Sequence, residues 1–224
     1  MANSSITLSF LSSIFAAVAF FTSWSSAFSC NYVQFTTIQD SALSLGFGMW
    51  SHNWYAISKS LGGSVIFQFC IGYGSIAIDS AMKSARVFSI LALVIGGTFF
   101  FYNLISGCVY PSNKRTNNTR CEGIAYLLTC LFQGLSLLLL NSPTVCTNNP
   151  LITQLQSEVE EAKNIEIDFN ETCTISTGAR CCIAAIVFWF LAAVTSCQAT
   201  SVGRKEEERS EKNLTDPLIN GDIL

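Results

Sequence analysis

Ten cysteines and a single histidine are the side chains with the widest range of chemistry in this 224-residue chain. Zinc sites combine thiolates with imidazoles at fixed spacings, and one histidine cannot supply such a set. His52 stands among aromatic residues, with no carboxylate or nucleophile placed to work with it. The chain also lacks a phosphate-binding loop and a serine elbow. We therefore predict no catalytic residue, no metal ligand, no cofactor and no enzymatic activity.

The cysteine positions favour a structural role for four of the ten. Cys30 and Cys70 lie in one of the stretches that connect the apolar runs, and Cys146 and Cys173 lie in another. One pair in each stretch is typical of an oxidising compartment. We predict disulfides Cys30–Cys70 and Cys146–Cys173, although a pairing between the two stretches is also compatible with the sequence.

Modification is the other chemistry that the sequence predicts. Three cysteines near the ends of apolar runs are candidates for palmitoylation or, alternatively, small apolar residues within helices: Cys108, Cys121 and Cys197. Asn170 begins an Asn-Glu-Thr acceptor and is the predicted glycosylation site. Asn117 begins a second acceptor, which we place on the opposite side of a membrane, where it stays unmodified.

Four long apolar runs must position these residues. Only 12% of the residues are charged, about half the usual share of roughly 25% in soluble domains. Runs of this length suit membrane-spanning helices, which need about 20 apolar residues each. The predicted spans are residues 6–24, 85–107, 123–140 and 179–199, within a membrane domain of residues 1–202. For residues 1–27, a retained helix and a cleaved signal peptide are both compatible with the sequence.

The distribution of lysine and arginine predicts the orientation. The connection between the second and third spans is short and holds Lys114, Arg115 and Arg120, and Arg204 and Lys205 follow the fourth span. The positive-inside rule makes these segments cytoplasmic. Both termini are then cytoplasmic in a plasma membrane or endomembrane, residues 25–84 and 141–178 form outer loops, and residues 203–224 are a polar tail that we predict to be disordered.

The first outer loop is too apolar to be disordered and is rich in aromatic and β-branched residues. Residues 29–38, 49–57 and 64–73 are predicted strands, and Gly62 and Gly63 indicate a hairpin. Trp50 and Trp54 are four residues apart, so on a strand they would share one face. That face is either an anchor at the lipid–water boundary or a surface that binds partners.

The second outer loop is acidic. Its six carboxylates and single lysine give a net charge of −5 between residues 141 and 178. A short amphipathic helix over residues 150–163 would carry an acidic face able to attract cations or a basic partner.

The layout resembles the claudin and peripheral-myelin-protein superfamily. Gly46 to Trp50 (GFGMW) looks like the family's GLW element, Cys70 like its second loop cysteine, and Arg86 like the arginine that opens its second span. The sequence departs from the pattern because no cysteine lies just after Trp50, where the family's first loop cysteine would stand, so that Cys30 must serve instead. The resemblance implies a left-handed bundle of four transmembrane helices with a small disulfide-stapled extracellular antiparallel sheet, that is, an all-α membrane protein with one β-sheet.

The resemblance also implies a function. It predicts a non-enzymatic membrane protein that self-associates or binds other membrane proteins through its outer loops, in adhesion, barrier formation or membrane organisation. Membrane lipids and further copies of the chain are the expected partners, and nucleic acid is not. Gly46, Trp50, Trp54 and Arg86 are the predicted partner surface. The alternatives are a cation channel or channel accessory subunit, suggested by the acidic loop, and a tetraspanin-like trafficking or organising protein.

Overall fold

The computed structural model describes residues 3–36, 44–60, 63–74, 78–109, 119–146, 149, 152 and 173–215. Within these residues the protein is mostly helical and carries one small antiparallel sheet, as predicted. Four helices are long and apolar enough to cross a membrane: Thr7–Phe28, Ser80–Ser106, Cys121–Asn141 and Thr177–Lys205. Each overlaps one of the predicted spans. The handedness of the bundle remains a prediction.

The helices form a closed bundle. They are α1 (Asn3–Phe28), α2 (Ser80–Val109), α3 (Thr119–Leu135, continued by the 3₁₀ helix Ser136–Asn141), the short α4 (Pro143–Cys146) and α5 (Thr177–Thr215). Helix α1 packs against α2 and α5, and α3 packs against the same two helices. Alanines such as Ala16, Ala19 and Ala192 are fully buried between the helices, where small side chains allow close approach.

Larger side chains inside the bundle are matched to small ones. The ring of Trp189 is buried next to Gly96. A Cβ at Gly96 would lie 2.6 Å from the ring, so the absence of a side chain there makes room for the indole. The indole Nε1 donates a hydrogen bond to Ser23 Oγ at 3.0 Å. Leucine, isoleucine, valine and phenylalanine side chains on the outer surface are exposed, as a lipid-facing surface requires.

The sheet has the strand order β4–β3–β2–β1–β5, with antiparallel neighbours throughout. The strands are β1 (Val33–Thr36), β2 (Ser44–Phe47), β3 (Ser51–Ser60), β4 (Gly63–Gly72) and β5 (Thr174–Ile175). Strand β1 lies within the predicted segment 29–38, whereas β3 and β4 overlap the predicted segments 49–57 and 64–73 and are longer toward the hairpin turn. Strands β3 and β4 form the predicted hairpin. Strands β2 and β5 were not predicted.

One face of the sheet covers one end of the bundle. Val33, Phe35, Leu45 and Phe47 are buried and belong to one apolar cluster with helical residues, which are Met82, Ala85, Leu139, Ala179 and Cys182. We call this end of the bundle the sheet side. Because α2 begins and α1 ends here, the sheet connects these two helices directly.

Two disulfides hold the connections on the sheet side. Cys30 is bonded to Cys70 and Cys146 to Cys173, the pairs that the sequence predicted, with Cα–Cα distances of 5.9 and 4.9 Å. The second bond fixes the residue before β5, and β5 pairs with β1 through Val33 and Gln34. Both connections between spans on this side therefore contribute to one sheet.

The structure differs from the sequence prediction at the end of the chain. Residues 203–215 were predicted to be disordered, but α5 continues to Thr215. The segment is rich in glutamate, lysine and arginine, which are strong helix formers, and it extends a helix that is already nucleated. Arg204 and Glu208 also face each other one turn apart at 4.0 Å. The remaining tail and most of the predicted helix at 150–163 lie outside the described residues.

Candidate functional site: the Arg86 junction and the sheet above it

The predicted partner surface divides into two parts in the structure. Arg86 and Trp50 lie together, whereas Trp54 lies on β3 opposite Phe69 in the register. Trp50 and Trp54 were predicted to share one face of a strand, but β3 begins at Ser51, so Trp50 lies outside it. The side chain of Trp54 lies outside the described residues. Trp50 belongs instead to the tight connection between β2 and β3, which is closed by a hydrogen bond from Gly48 N to Ser51 O of 2.8 Å.

Arg86 joins this connection to the bundle. It is half-buried on α2, and its Nε donates a hydrogen bond of 2.6 Å to the carbonyl oxygen of Met49. Its guanidinium carbon lies 4.9 Å from the centre of the Trp50 ring and 5.5 Å from that of Tyr73. A guanidinium at these distances is attracted by the ring faces, and the planar group suits such stacking. We call Gly48, Met49, Trp50, Tyr73 and Arg86 the Arg86 junction.

Tyr73 closes the junction from the second strand of the ribbon that β3 and β4 form, at the same end as Trp50, because Ser51 pairs with Gly72. The residue follows β4 directly, is buried, and donates a hydrogen bond from Oη to Gly48 O at 2.6 Å. Burial raises the pKa of Tyr73, and the positive charge of Arg86 acts in the opposite direction. The phenol therefore remains a proton donor to Gly48 throughout the physiological range.

His52 lies in the aromatic interior of the sheet. It is 4% exposed, and its ring centre is 6.1 Å from that of Phe47 and 5.4 Å from that of Tyr73. Burial lowers the pKa of His52, because the charged imidazolium would lose hydration. This environment suits a neutral imidazole that packs as a ring.

Gly46, which the resemblance singled out, is needed for close packing. A Cβ at this position would lie 1.8 Å from Asn31 Oδ1 and 2.6 Å from Asn53 Nδ2. The two amides hydrogen-bond to each other beneath the strand, with Asn53 as donor and Asn31 as acceptor. Gly46 therefore allows an amide pair to connect the segment after α1 to β3.

We expect Gly48→Ala to destabilise the junction. A Cβ at Gly48 would lie 2.0 Å from Ser29 O and 2.9 Å from Ser51 O, both backbone atoms that cannot move independently. Overpacking of this kind costs about 1–3 kcal/mol. The thermal midpoint of the purified protein, followed by tryptophan fluorescence in detergent, should fall.

Gly72→Ala provides the matched control. A Cβ at Gly72 meets only Trp50 O, at the ordinary contact distance of 3.9 Å. The control should leave the midpoint near that of the wild type. Equal midpoints for the two variants would contradict the close approach of the chain at Gly48.

The sheet side carries exposed apolar groups next to the junction. No group of three or more histidine, cysteine, aspartate or glutamate side chains within the described ranges could hold a metal ion. The sheet side instead presents aromatic and aliphatic side chains: Trp50 is 37% exposed, Phe69 49% and Ile71 43%. A rigid framework below and exposed apolar groups above are features of a contact surface.

The other predicted site residues are not part of this arrangement. Cys121 and Cys197 are exposed free thiols near the opposite end of the bundle, where palmitoylation stays a prediction. The side chain of Cys108, the acceptor Asn170 and the acidic residues behind the channel alternative lie outside the described residues. Sequence reasoning missed Tyr73 and the Met49 carbonyl. The available signal for Tyr73 was a tyrosine three residues after Cys70. A backbone carbonyl such as that of Met49 gives no signal in the sequence.

Neither a protein-family model nor a curated protein matches the chain.

Proposed function

We propose that the protein is a non-enzymatic, claudin-like integral membrane protein that self-associates, or binds other membrane proteins, through its sheet side. The observation that carries this proposal is the Arg86 junction. A charged hydrogen bond and two ring contacts from α2 hold the Trp50 connection on the bundle. Such a framework positions the sheet relative to the membrane, so that contacts made by the sheet are geometrically defined.

The layout of the chain supports the same proposal. Four helices able to span a membrane carry a sheet to which both connections on one side contribute. A disulfide staples the larger connection. The GFGMW segment, Cys70 and Arg86, which carry the resemblance, meet at one place around the junction. Cys30 stands in place of the first loop cysteine of the family pattern. Its bond to Cys70 closes a longer loop than that pattern does.

We further propose that the sheet side faces the lumen or the cell exterior, with both ends of the chain in the cytosol. In cells, glycosidase treatment should lower the mass of the wild type and of Asn117→Gln equally, and should leave the mass of Asn170→Gln unchanged. The reason is that Asn170 lies in the same connection as the disulfide-bonded Cys173, whereas Asn117 lies in the connection on the other side. A shift that is lost only in Asn117→Gln would invert the orientation.

Self-association is tested with two differently tagged copies expressed in the same cells. After extraction in mild detergent, purification through one tag should recover the other copy, because the sheet side presents exposed apolar groups that pair by burial. Lysates of separately expressed copies, mixed after extraction, are the control and should show no recovery. Adding a membrane-impermeant phosphine reductant to intact cells should lower the recovery if the stapled sheet forms the contact. A protein that remains monomeric in cells would contradict the proposal.

A further inference from the structure

Five polar side chains are buried together beneath the sheet, where α5 packs against α1 and α3. They are Ser26 near the end of α1, Tyr32 just before β1, Gln133 on α3, Ser136 at the start of the 3₁₀ helix and Cys182 on α5. Each of the five is 0% exposed. Tyr32 and Cys182 also belong to the apolar cluster that joins the sheet to the bundle, so bulk water is excluded from this place. We call the five residues the Tyr32 cluster.

Several hydrogen-bonding groups of the Tyr32 cluster are paired with one another. Ser136 Oγ donates to the carbonyl oxygen of Gln133 at 2.7 Å, and Cys182 Sγ donates to the same oxygen at 3.4 Å. Gln133 Nε2 donates to Cys182 Sγ at 3.2 Å. A hydroxyl or a thiol has a single proton to donate. The protons of Ser136 and Cys182 are therefore already engaged with the Gln133 carbonyl.

Three oxygen atoms of the cluster are left over from this pairing. Ser26 Oγ, Tyr32 Oη and Gln133 Oε1 make no hydrogen bond to any part of the chain that the structure describes. A buried polar atom without a partner is unfavourable, because it has lost its hydration and gained nothing in return. Folded proteins rarely leave such atoms unpaired. Three of them in one cluster indicate a shared partner from outside the chain.

The three oxygens are grouped around the Tyr32 phenol and the Cys182 thiol. The phenol lies close enough to Cys182, Ser136 and Ser26 for each of them to affect its pKa. Gln133 Oε1 is attached to the same carbon as Nε2, which contacts Cys182 Sγ. Burial, and after it Cys182, raises the pKa of Tyr32. The phenol therefore keeps its proton and can donate it to a hydrogen bond.

We propose that the Tyr32 cluster binds an internal water molecule. The water accepts hydrogen bonds from Tyr32 Oη and Ser26 Oγ and donates one to Gln133 Oε1. Two hydroxyl donors and one amide acceptor match a molecule that can accept two bonds and donate two. About three bonds is also the usual number for a buried water. An ion fits less well, because all three oxygens belong to neutral groups and would leave its charge uncompensated.

The bound water joins α1, the segment before β1, and α3 at one point beneath the sheet. It thereby links the start of the sheet to the bundle at a place separate from the Arg86 junction. The inference does not depend on the proposed function, because it concerns the interior of one chain. Failure of self-association in cells would leave it unchanged.

Radiolytic labelling tests the proposal with the wild-type full chain in lipid nanodiscs. Brief X-ray pulses split water into hydroxyl radicals, which oxidise neighbouring aromatic side chains before they diffuse away. Radicals formed from a bound water therefore label buried neighbours that bulk water does not reach. The internal control is Trp189, which is also 0% exposed and whose indole Nε1 is already bonded to Ser23 Oγ. Mass spectrometry of the digested protein gives the oxidation rate of each residue.

Tyr32 should be oxidised several times faster than Trp189. A Tyr32 that stays unlabelled would overturn the proposal. Equal oxidation of Tyr32 and Trp189 would also overturn it, because radicals would then enter through opening of the bundle rather than arise at a bound water. The comparison needs no variant, so it does not depend on whether a substituted chain folds.

The thermal midpoint of Tyr32→Phe gives a second test, because the sign of the change differs between a bonded and an unpaired hydroxyl. The substitution keeps the ring and removes Oη. If a water bonds to Oη, the variant loses that hydrogen bond and its midpoint should fall below that of the wild type. If Oη is unpaired, its removal relieves the cost of burying it. A midpoint that rises or stays the same would therefore contradict the bound water.

Discussion

Arg86→Met should lower the stability of the protein more than any other single change at the junction. The substitution keeps the length of an apolar stem but removes the guanidinium that bonds to Met49 O and stacks on Trp50. A hydrogen bond from a charged group contributes about 1.5–3 kcal/mol and a guanidinium–ring contact about 0.5–2 kcal/mol, so the expected loss is about 2–5 kcal/mol. The Met49 carbonyl would also lose its charged donor. A large drop in the thermal midpoint, read by tryptophan fluorescence in detergent, is the expected result.

Lys83→Met is the matched control for Arg86→Met. It removes one positive charge from the same helix, one turn earlier, at a position where the side chain is exposed. Exposed charges contribute little to stability, so its midpoint should stay close to that of the wild type. Arg86→Lys should fall between the two, because an ammonium group keeps the charge but loses the planar fork. If Arg86→Met and Lys83→Met melt together, the junction does not anchor the sheet.

The structure explains why the spans were predictable and the junction was not. A membrane helix needs a run of apolar residues, and such runs stand out in a chain with 12% charge. The disulfide pairs follow from one pair of cysteines in each connection. The Arg86 side chain bonds to the backbone oxygen of Met49, 37 residues earlier in the chain. Neither the composition nor the periodicity of a sequence indicates a contact of this kind. Only a resemblance to a family pointed to Arg86, and it did not identify the partner atom.

The unpredicted elements are stabilised by features that hydropathy does not detect. Strand β5 is two residues long and exists because Cys173 is tied to Cys146 beside β1. Helix α2 begins at Ser80, five residues before the predicted span, where Asp79 Oδ1 accepts a hydrogen bond from Met82 N at 3.2 Å. That bond is an N-cap, which hydropathy does not detect. Helix α5 likewise continues beyond the apolar run into its charged segment.

Replacing both Cys30 and Cys70 by serine should release the β3–β4 ribbon while leaving the helices in the membrane. The bond ties the segment after α1 to the end strand of the sheet, which otherwise contacts the rest of the sheet only through β3. Removing a native disulfide from a small domain typically costs about 2–5 kcal/mol. Limited proteolysis or hydrogen exchange should show selective opening of residues 53–70, with unchanged protection of α3 and α5.

Cys121→Ser with Cys197→Ser is the control, because it removes two exposed thiols that form no disulfide and should leave the ribbon protected. The same disulfide variant tests the contact between copies. If the ribbon forms that contact, co-purification of tagged copies should fall as it opens. A variant with full protection of residues 53–70 would show that the Arg86 junction and the β2–β3 pairing hold the ribbon without the bond, and the junction would then be the dominant restraint on the sheet.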